Sequence, residues 1–148
     1  SPSHSLDVAG SDGVNLGCGA IFEKVNIISN TSNSTTNIDL LTSSVWLFTS
    51  SNNGNWTPNF RGNSSTSLDS IMSTGQVIVA TIISQNSGSS GYASNMNIDG
   101  SGQTEYWSND ETPDERGGNS GYDVYQYSII KTGGGNSYLV LANRTYCD

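Results

Sequence analysis

The sequence predicts an all-β domain, an antiparallel β-sandwich of jelly-roll-like form, with one short helix near residues 67–74. Three observations predict it. Ser, Asn, Thr and Gly supply 73 of the 148 residues, and these types favour turns and solvated strand faces over helix interiors. Apolar residues come in short runs that alternate with polar ones, the period of a half-buried strand. Turn signals cut these runs into about eight to ten pieces, the pattern of sandwiches and barrels. Long amphipathic helices and coiled coils need Ala, Glu, Lys and Leu in quantity, which this chain lacks. The length suits one domain.

Residues 1–20 are Gly- and Ser-rich with weak patterning and read as an N-terminal arm or linker, with the β-sandwich domain at 21–148. Ile21 to Ile28 is strand-like, with Ile21, Val25 and Ile27 on one face. A polar turn follows from Ser29 to Thr35. Asn37 to Thr42 and Val45 to Thr49 are two further strands. Asn55 to Arg61 is extended, and Pro58 places it at an edge or a bulge. Ser67 to Thr74 is the helix: Leu68, Ile71 and Met72 fall at i, i+3 and i+4, and Gly75 supplies a stop. Gln76 to Ser84 is a β-branched run that reads as a buried central strand. Tyr92 to Asp99 and Gln103 to Trp107 form a hairpin around Asp99-Gly100-Ser101-Gly102. Ser108 to Gly121 is a polar, acidic loop. Tyr122 to Thr132 and Ser137 to Asn143 close the domain, joined by a turn at Gly133 to Asn136.

The net charge is −8, with five cations, Lys24, Arg61, Arg116, Lys131 and Arg144, scattered along the chain. Phosphate binding depends on clustered Lys and Arg, so nucleic acid and anionic membrane surfaces are poor partners. The longest strongly apolar stretch, Val77 to Ile83, is far too short to span a bilayer, and no membrane insertion is expected. Cys18 and Cys147 lie near opposite ends. A disulfide between them would close nearly the whole chain and stabilise it by roughly 4–5 kcal/mol; two reduced thiols are the alternative.

Several segments, taken in order, resemble a known domain. They are Asn55-Trp56-Thr57-Pro58-Asn59-Phe60-Arg61-Gly62, Ser67 to Gly75, Ile98-Asp99-Gly100 and Trp107. Tyr122-Asp123-Val124-Tyr125, Ser128 to Thr132 and Leu139-Val140-Leu141-Ala142 complete the series. Their order and spacing, from about Phe22 to Tyr146, resemble a β-rich domain at the C-terminal ends of virion structural and tail-fibre proteins of marine tailed phages, especially cyanophages. The resemblance implies a non-enzymatic component exposed on the virion surface, a capsid decoration or a head or tail fibre subunit. Its expected partners are other virion proteins and copies of itself, with a trimer favoured. The loop Ser108 to Arg116 is more acidic than the resemblance implies, Pro58 replaces a β-former, and Cys147 replaces an aromatic residue.

The sole histidine, His4, lies in the arm, and no Gly-x-Ser-x-Gly elbow occurs, so the sequence offers no nucleophilic hydrolase. Asp99, Glu105, Asp110, Glu111, Asp114 and Glu115 include enough carboxylates for glycoside hydrolysis, but a solvated loop does not raise a carboxyl pKa. No catalytic residue and no obligatory cofactor are expected. Asp110, Glu111, Asp114 and Glu115 are candidate Ca²⁺ ligands, because hard cations take clustered oxygens. Asn95, Asn97 and Asp99 imitate half of an EF-hand loop. Their period of two reads better as one face of an amphipathic strand, with Met96 and Ile98 on the other. Tyr106 and Trp107, with Arg116 beyond the acidic stretch, are candidates for binding a host surface glycan, since aromatic faces stack on sugars. Trp56, in a strand, reads as core. Asn-x-Ser/Thr acceptor sites at Asn30, Asn33, Asn55, Asn63 and Asn143 are expected by chance in this composition. Two functions compete, a structural particle subunit and a carbohydrate-binding adhesin; a third, an enzyme acting on cell-wall polymer, is kept only because the carboxylates exist.

Overall fold

Alternating Ile, Val, Tyr and Trp with Ser, Thr and Asn builds ten strands among the described residues, which are 17, 19–29, 34–88, 91–93 and 95–147 of a computed structural model. They are β1 (Val25–Ile28), β2 (Thr35–Asp39), β3 (Val45–Phe48), β4 (Thr57–Arg61), β5 (Val77–Gln85), β6 (Asn97–Ile98), β7 (Ser101–Gly102), β8 (Glu105–Trp107), β9 (Tyr122–Lys131) and β10 (Tyr138–Cys147). One short helix, α1 (Leu68–Ile71), precedes β5, and a single 3-10 turn, Ser108–Asp110, follows β8. A six-stranded sheet has the order β1-β3-β5-β9-β10-β8, and a four-stranded sheet has the order β2-β4-β6-β7. The chain is therefore mostly β, with two multi-stranded sheets and one short helix.

The expected antiparallel pairing holds for the long strands β5, β9 and β10 and for β6 with β7, but the remaining pairings are parallel, so both sheets are mixed. Five of the eight strand pairings are parallel, and three are antiparallel. The cause is the route of the chain. From β1 to β6 it alternates between the two sheets, so each return to a sheet runs in the direction of the strand already there. Parallel neighbours need a crossover of about a dozen residues or more. Residues 29–44, 40–56 and 49–76 supply those crossovers, and each carries a strand of the other sheet.

Successive passes stack like residues in register. Asn37, Asn59 and Asn97 lie side by side, as do Ile38, Phe60 and Ile98. The second trio is fully buried. Asn59 Nδ2 donates to Asn37 Oδ1 at 2.8 Å, and Asn59 Oδ1 accepts from the Gly100 amide at 2.8 Å. One position further along, Arg61 Nε donates to Asp39 Oδ1 at 2.6 Å. Buried side chains of both sheets form one core. Phe60 of the smaller sheet meets Tyr127 of the larger with ring centroids 5.0 Å apart. Trp56 is buried as expected, edge-on to Phe48 and Tyr125.

The helix forms where expected, over fewer residues. Ser67 caps it by accepting from the Ser70 amide at 3.1 Å. Asp99 adds a second cap from afar, its carboxylate accepting from the Leu68 and Asp69 amides at 2.7 and 2.9 Å. Asp99 and Gly100 both have positive φ, the backbone of a tight hairpin turn. This turn joins only β6 to β7. Of the expected second arm, Gln103 still donates to the Met96 carbonyl at 3.2 Å, whereas Glu105 to Trp107 leave for the larger sheet and pair with β10.

Other boundaries also shift. The first strand begins at Val25, with Ile21 and Phe22 exposed ahead of it. Pro58 is not at a sheet edge: β4 lies between β2 and β6, and Pro58 sits opposite Thr36. The β6 ladder begins only at Asn59, so it does not extend to the residue that lacks an N–H. β5 is central in its sheet but not buried on both faces, since Val77 and Val79 face water. Asn95, Asn97 and Asp99 do alternate with buried Met96 and Ile98. Most of the N-terminal arm, Cys18 of the expected disulfide, and Asn30 and Asn33 lie outside the described residues. Cys147 is exposed at the end of β10.

Candidate functional site

Period-two alternation gives the six-stranded sheet two faces. Phe48, Ile82, Tyr125 and Val140 point inward to the core, so their strand neighbours point outward. The outward positions carry no Asp, Glu, Lys or Arg. Two apolar rows cross this face. Ile27, Leu47, Ile83 and Val124 align across β1, β3, β5 and β9. Val79, Ser128, Leu141 and Tyr106 align across β5, β9, β10 and β8. Val77, Ile130 and Leu139 align beside the second row and extend its apolar area. Ile27 is 63% exposed, Val77 58% and Tyr106 60%. Between the two rows lie the uncharged polar Thr81, Gln126 and Asn143; single exposed apolar residues are ordinary, but rows of them on one face mark an interaction surface.

A groove of about 410 Å³ lies within this face, against β8. Tyr106 and Leu141 supply apolar surface, and Ser108, Gln126, Ser128 and Asn143 supply polar groups. The Ser108 hydroxyl donates to Asn143 Oδ1 at 2.8 Å. Of the three glycan candidates, Tyr106 and Trp107 line this groove and Arg116 does not. Tyr106 faces outward. Trp107, its neighbour in the strand, also borders the groove, but its ring turns inward, is 9% exposed and packs edge-on to Tyr127 at 6.0 Å. Arg116 lies elsewhere, donating to Asn119 Oδ1 at 2.6 Å beside a shallow depression formed with Glu115, Gly117 and Gly118. Gln126, Ser128 and Asn143 were not foreseen, because they reach Tyr106 only through strand pairing.

The acidic loop adjoins the groove. Asp110, Glu111 and Asp114 line an open cavity of about 570 Å³ together with Ser108, Asn143 and Arg144. Glu115 instead lines the depression beside Arg116. Among the described residues, no group of three or more His, Cys, Asp or Glu side chains could hold a metal ion. The four candidate Ca²⁺ ligands are thus not gathered into one coordination sphere. The loop is fastened from below. Arg144 donates to the Glu115 carbonyl and lies 3.9 Å from the buried Asp123 carboxylate. The Tyr146 hydroxyl donates to the Ser120 carbonyl at 2.8 Å, and Asp123 accepts from the Gly117 amide at 3.1 Å. No helix among the described residues is long and apolar enough to cross a membrane.

Glu105 points inward from β8. Burial pushes its carboxyl above the usual range, and hydrogen bonds from its own and the Met96 amides only partly oppose this. Its Oε1 has no hydrogen-bond partner, nor do the buried Trp107 Nε1 and Tyr127 hydroxyl. Burial, with Tyr125 and Glu105 nearby, also holds the Tyr127 phenol well above its usual range. A carboxyl whose pKa rises on folding stabilises the native state most below its unfolded value. That advantage is lost as pH rises through the folded value. Glu105→Gln is therefore expected to flatten the fall in stability between about pH 4.5 and neutrality. At neutral pH it should add a few tenths to about 1 kcal/mol, an amount kept small because the group is half exposed. Melting temperatures measured from pH 4 to 7 check this; parallel profiles for the two proteins would contradict it.

No protein-family model, no curated protein and no solved structure matches the chain.

Proposed function

We propose that this chain is a non-enzymatic structural subunit exposed on the surface of a tailed-phage particle, a capsid decoration or a head or tail fibre component. It works by associating with other virion proteins. In this reading the two sheets stack as a β-sandwich whose smaller sheet faces solvent and whose larger sheet docks. One observation carries it: the outward face of the six-stranded sheet is apolar over two rows and bears no charged residue, in a chain with a net charge of −8. An uncharged apolar sheet face is costly to leave in water and suits permanent burial. The ordered resemblance to phage virion domains supports the setting. Immunogold electron microscopy of phage particles from the source material, with antibody against this chain, tests the proposal. Gold on the particle surface is expected, and particles without label would overturn it.

A second reading rests on the Tyr106 groove. An exposed aromatic ring beside Gln126, Ser128 and Asn143 has the composition of a sugar subsite, one stacking face and several hydroxyl-binding groups. In this reading the chain is a carbohydrate-binding adhesin that recognises host surface glycans. A glycan array probed with the full chain is then expected to show binding that falls at least tenfold in Tyr106→Ala and is unchanged in Arg116→Ala. An array with no signal would leave only the structural role.

A further inference from the structure

We infer that the uncharged face of the six-stranded sheet is a self-association surface, and that its occupant is the same face of a second copy of this chain. The inference rests on the structural reading above and supplies its first partner. Two quantities favour a second copy. The first is area. β5, β9 and β10 are nine or ten residues long, β1, β3 and β8 three or four. At about 3.3 Å per residue and 4.8 Å between strands, the face covers about 600 Å². Two such faces bury about 1,200 Å², the size at which specific, stable interfaces begin.

The second is charge. Each copy carries −8, so most approaches between two copies are repulsive. The outward positions of this sheet bear no ionised group, so stacking here desolvates none. The acidic loop, residues 108–121, follows β8 at one edge of the sheet, whereas β1 lies at the other. A two-fold axis along the strands sets β8 of one copy over β1 of its partner. The two acidic loops then begin at opposite edges, about 24 Å apart at 4.8 Å per strand spacing, and where Glu115 lies against Arg144 of β10 the lateral separation is still about 14 Å. That exceeds the screening length of about 8–10 Å. A single self-complementary face closes as a pair, so the state inferred is a dimer, where the resemblance alone favoured a trimer. Tyr106 lies within the face, so pairing covers its groove.

Sedimentation of the full chain over a range of concentrations tests this. Leu141→Lys and Val79→Lys are the informative variants. Both positions face water in the single chain, so both variants are expected to keep the native circular dichroism spectrum. Each buries an unpaired ammonium in the pair, and dimer dissociation is expected to become at least 100-fold easier. Ser101→Lys, on the exposed β7 of the other sheet, is expected to leave the dimer intact. A monomer at every concentration, a trimer, or a dimer that survives both face substitutions would overturn the inference. A monomeric chain that still labels particle surfaces would sink only the dimer, whereas unlabelled particles would sink the structural role itself.

Discussion

Gly91→Ala is expected to cost at least about 3 kcal/mol, a large share of the stability of a domain this size. Gly91 passes directly over the chain between β3 and β4. A Cβ built there would overlap the carbonyl carbon and oxygen of Gly54 and the amide nitrogen of Asn55. All three are backbone atoms, so no rotamer change relieves the overlap. The crossing is also held by hydrogen bonds. Gly91 N–H donates to the Asn52 carbonyl at 3.1 Å, and Trp56 N–H donates to the Tyr92 carbonyl at 3.1 Å. Separating the two segments to admit a methyl group strains both bonds and displaces Trp56. Urea unfolding followed by fluorescence measures the loss. A midpoint within a few tenths molar of the parent would show that the crossing is loose.

The second large effect is expected at Trp56 itself. Its side chain is 2% exposed and stands edge-on to Phe48, at 5.4 Å, and to Tyr125, at 5.6 Å. Trp56→Ala removes the most deeply buried of the three tryptophans in the core and leaves a hole that the sheets cannot easily close, because Phe48 and Tyr125 are fixed in paired strands. A loss of about 3–5 kcal/mol is expected. Tyr125 should loosen as well. Its hydroxyl accepts from the Ala93 amide at 3.2 Å and donates to the Asp123 carboxylate at 3.2 Å. Weakening that link would free the acidic loop, which Asp123 and Arg144 help to hold. Trp56→Phe keeps an edge-on ring and should recover more than half of the loss. Equal stabilities for the Ala and Phe variants would show that ring contact contributes nothing beyond polarity.

Strand positions were legible from period-two alternation alone. β3, β5, β9 and the start of β10 lie within a residue or two of where the pattern puts them, and Ser67 with Leu68 and Ile71 marks the helix. Pairing was not legible, because alternation tells which side of a strand is apolar and not which strand lies beside it. One signal was available. Asn37-Ile38-Asp39 recurs as Asn97-Ile98-Asp99, with Asn59-Phe60-Arg61 between them. These are the segments that stack in register in the smaller sheet, so the internal repeat points to parallel winding where composition suggested hairpins. The groove was half legible for the same reason. Adjacent strand residues must face opposite ways, so of Tyr106 and Trp107 one faces in and one out. The pairing of β8 with β10 decides which, and brings Asn143 into the groove. The acidic loop was visible by composition. Its anchor on Arg144 was not, because that contact is made across 29 positions in sequence.

The repeated winding leaves each sheet with an edge strand where the passes begin. Among the described residues, β1 ends the strand order of the larger sheet and β2 that of the smaller. Each pass resembles the one before it, so each edge is a template on which another strand could grow, from this chain or a stranger. What blunts these edges is brevity and charge. β1 is four residues long and β2 five. The exposed Lys24 immediately precedes β1, and the partly buried Asp39, paired with Arg61, ends β2. The same geometry that makes the fold extensible by whole turns thus obliges it to guard its edges against polymerisation.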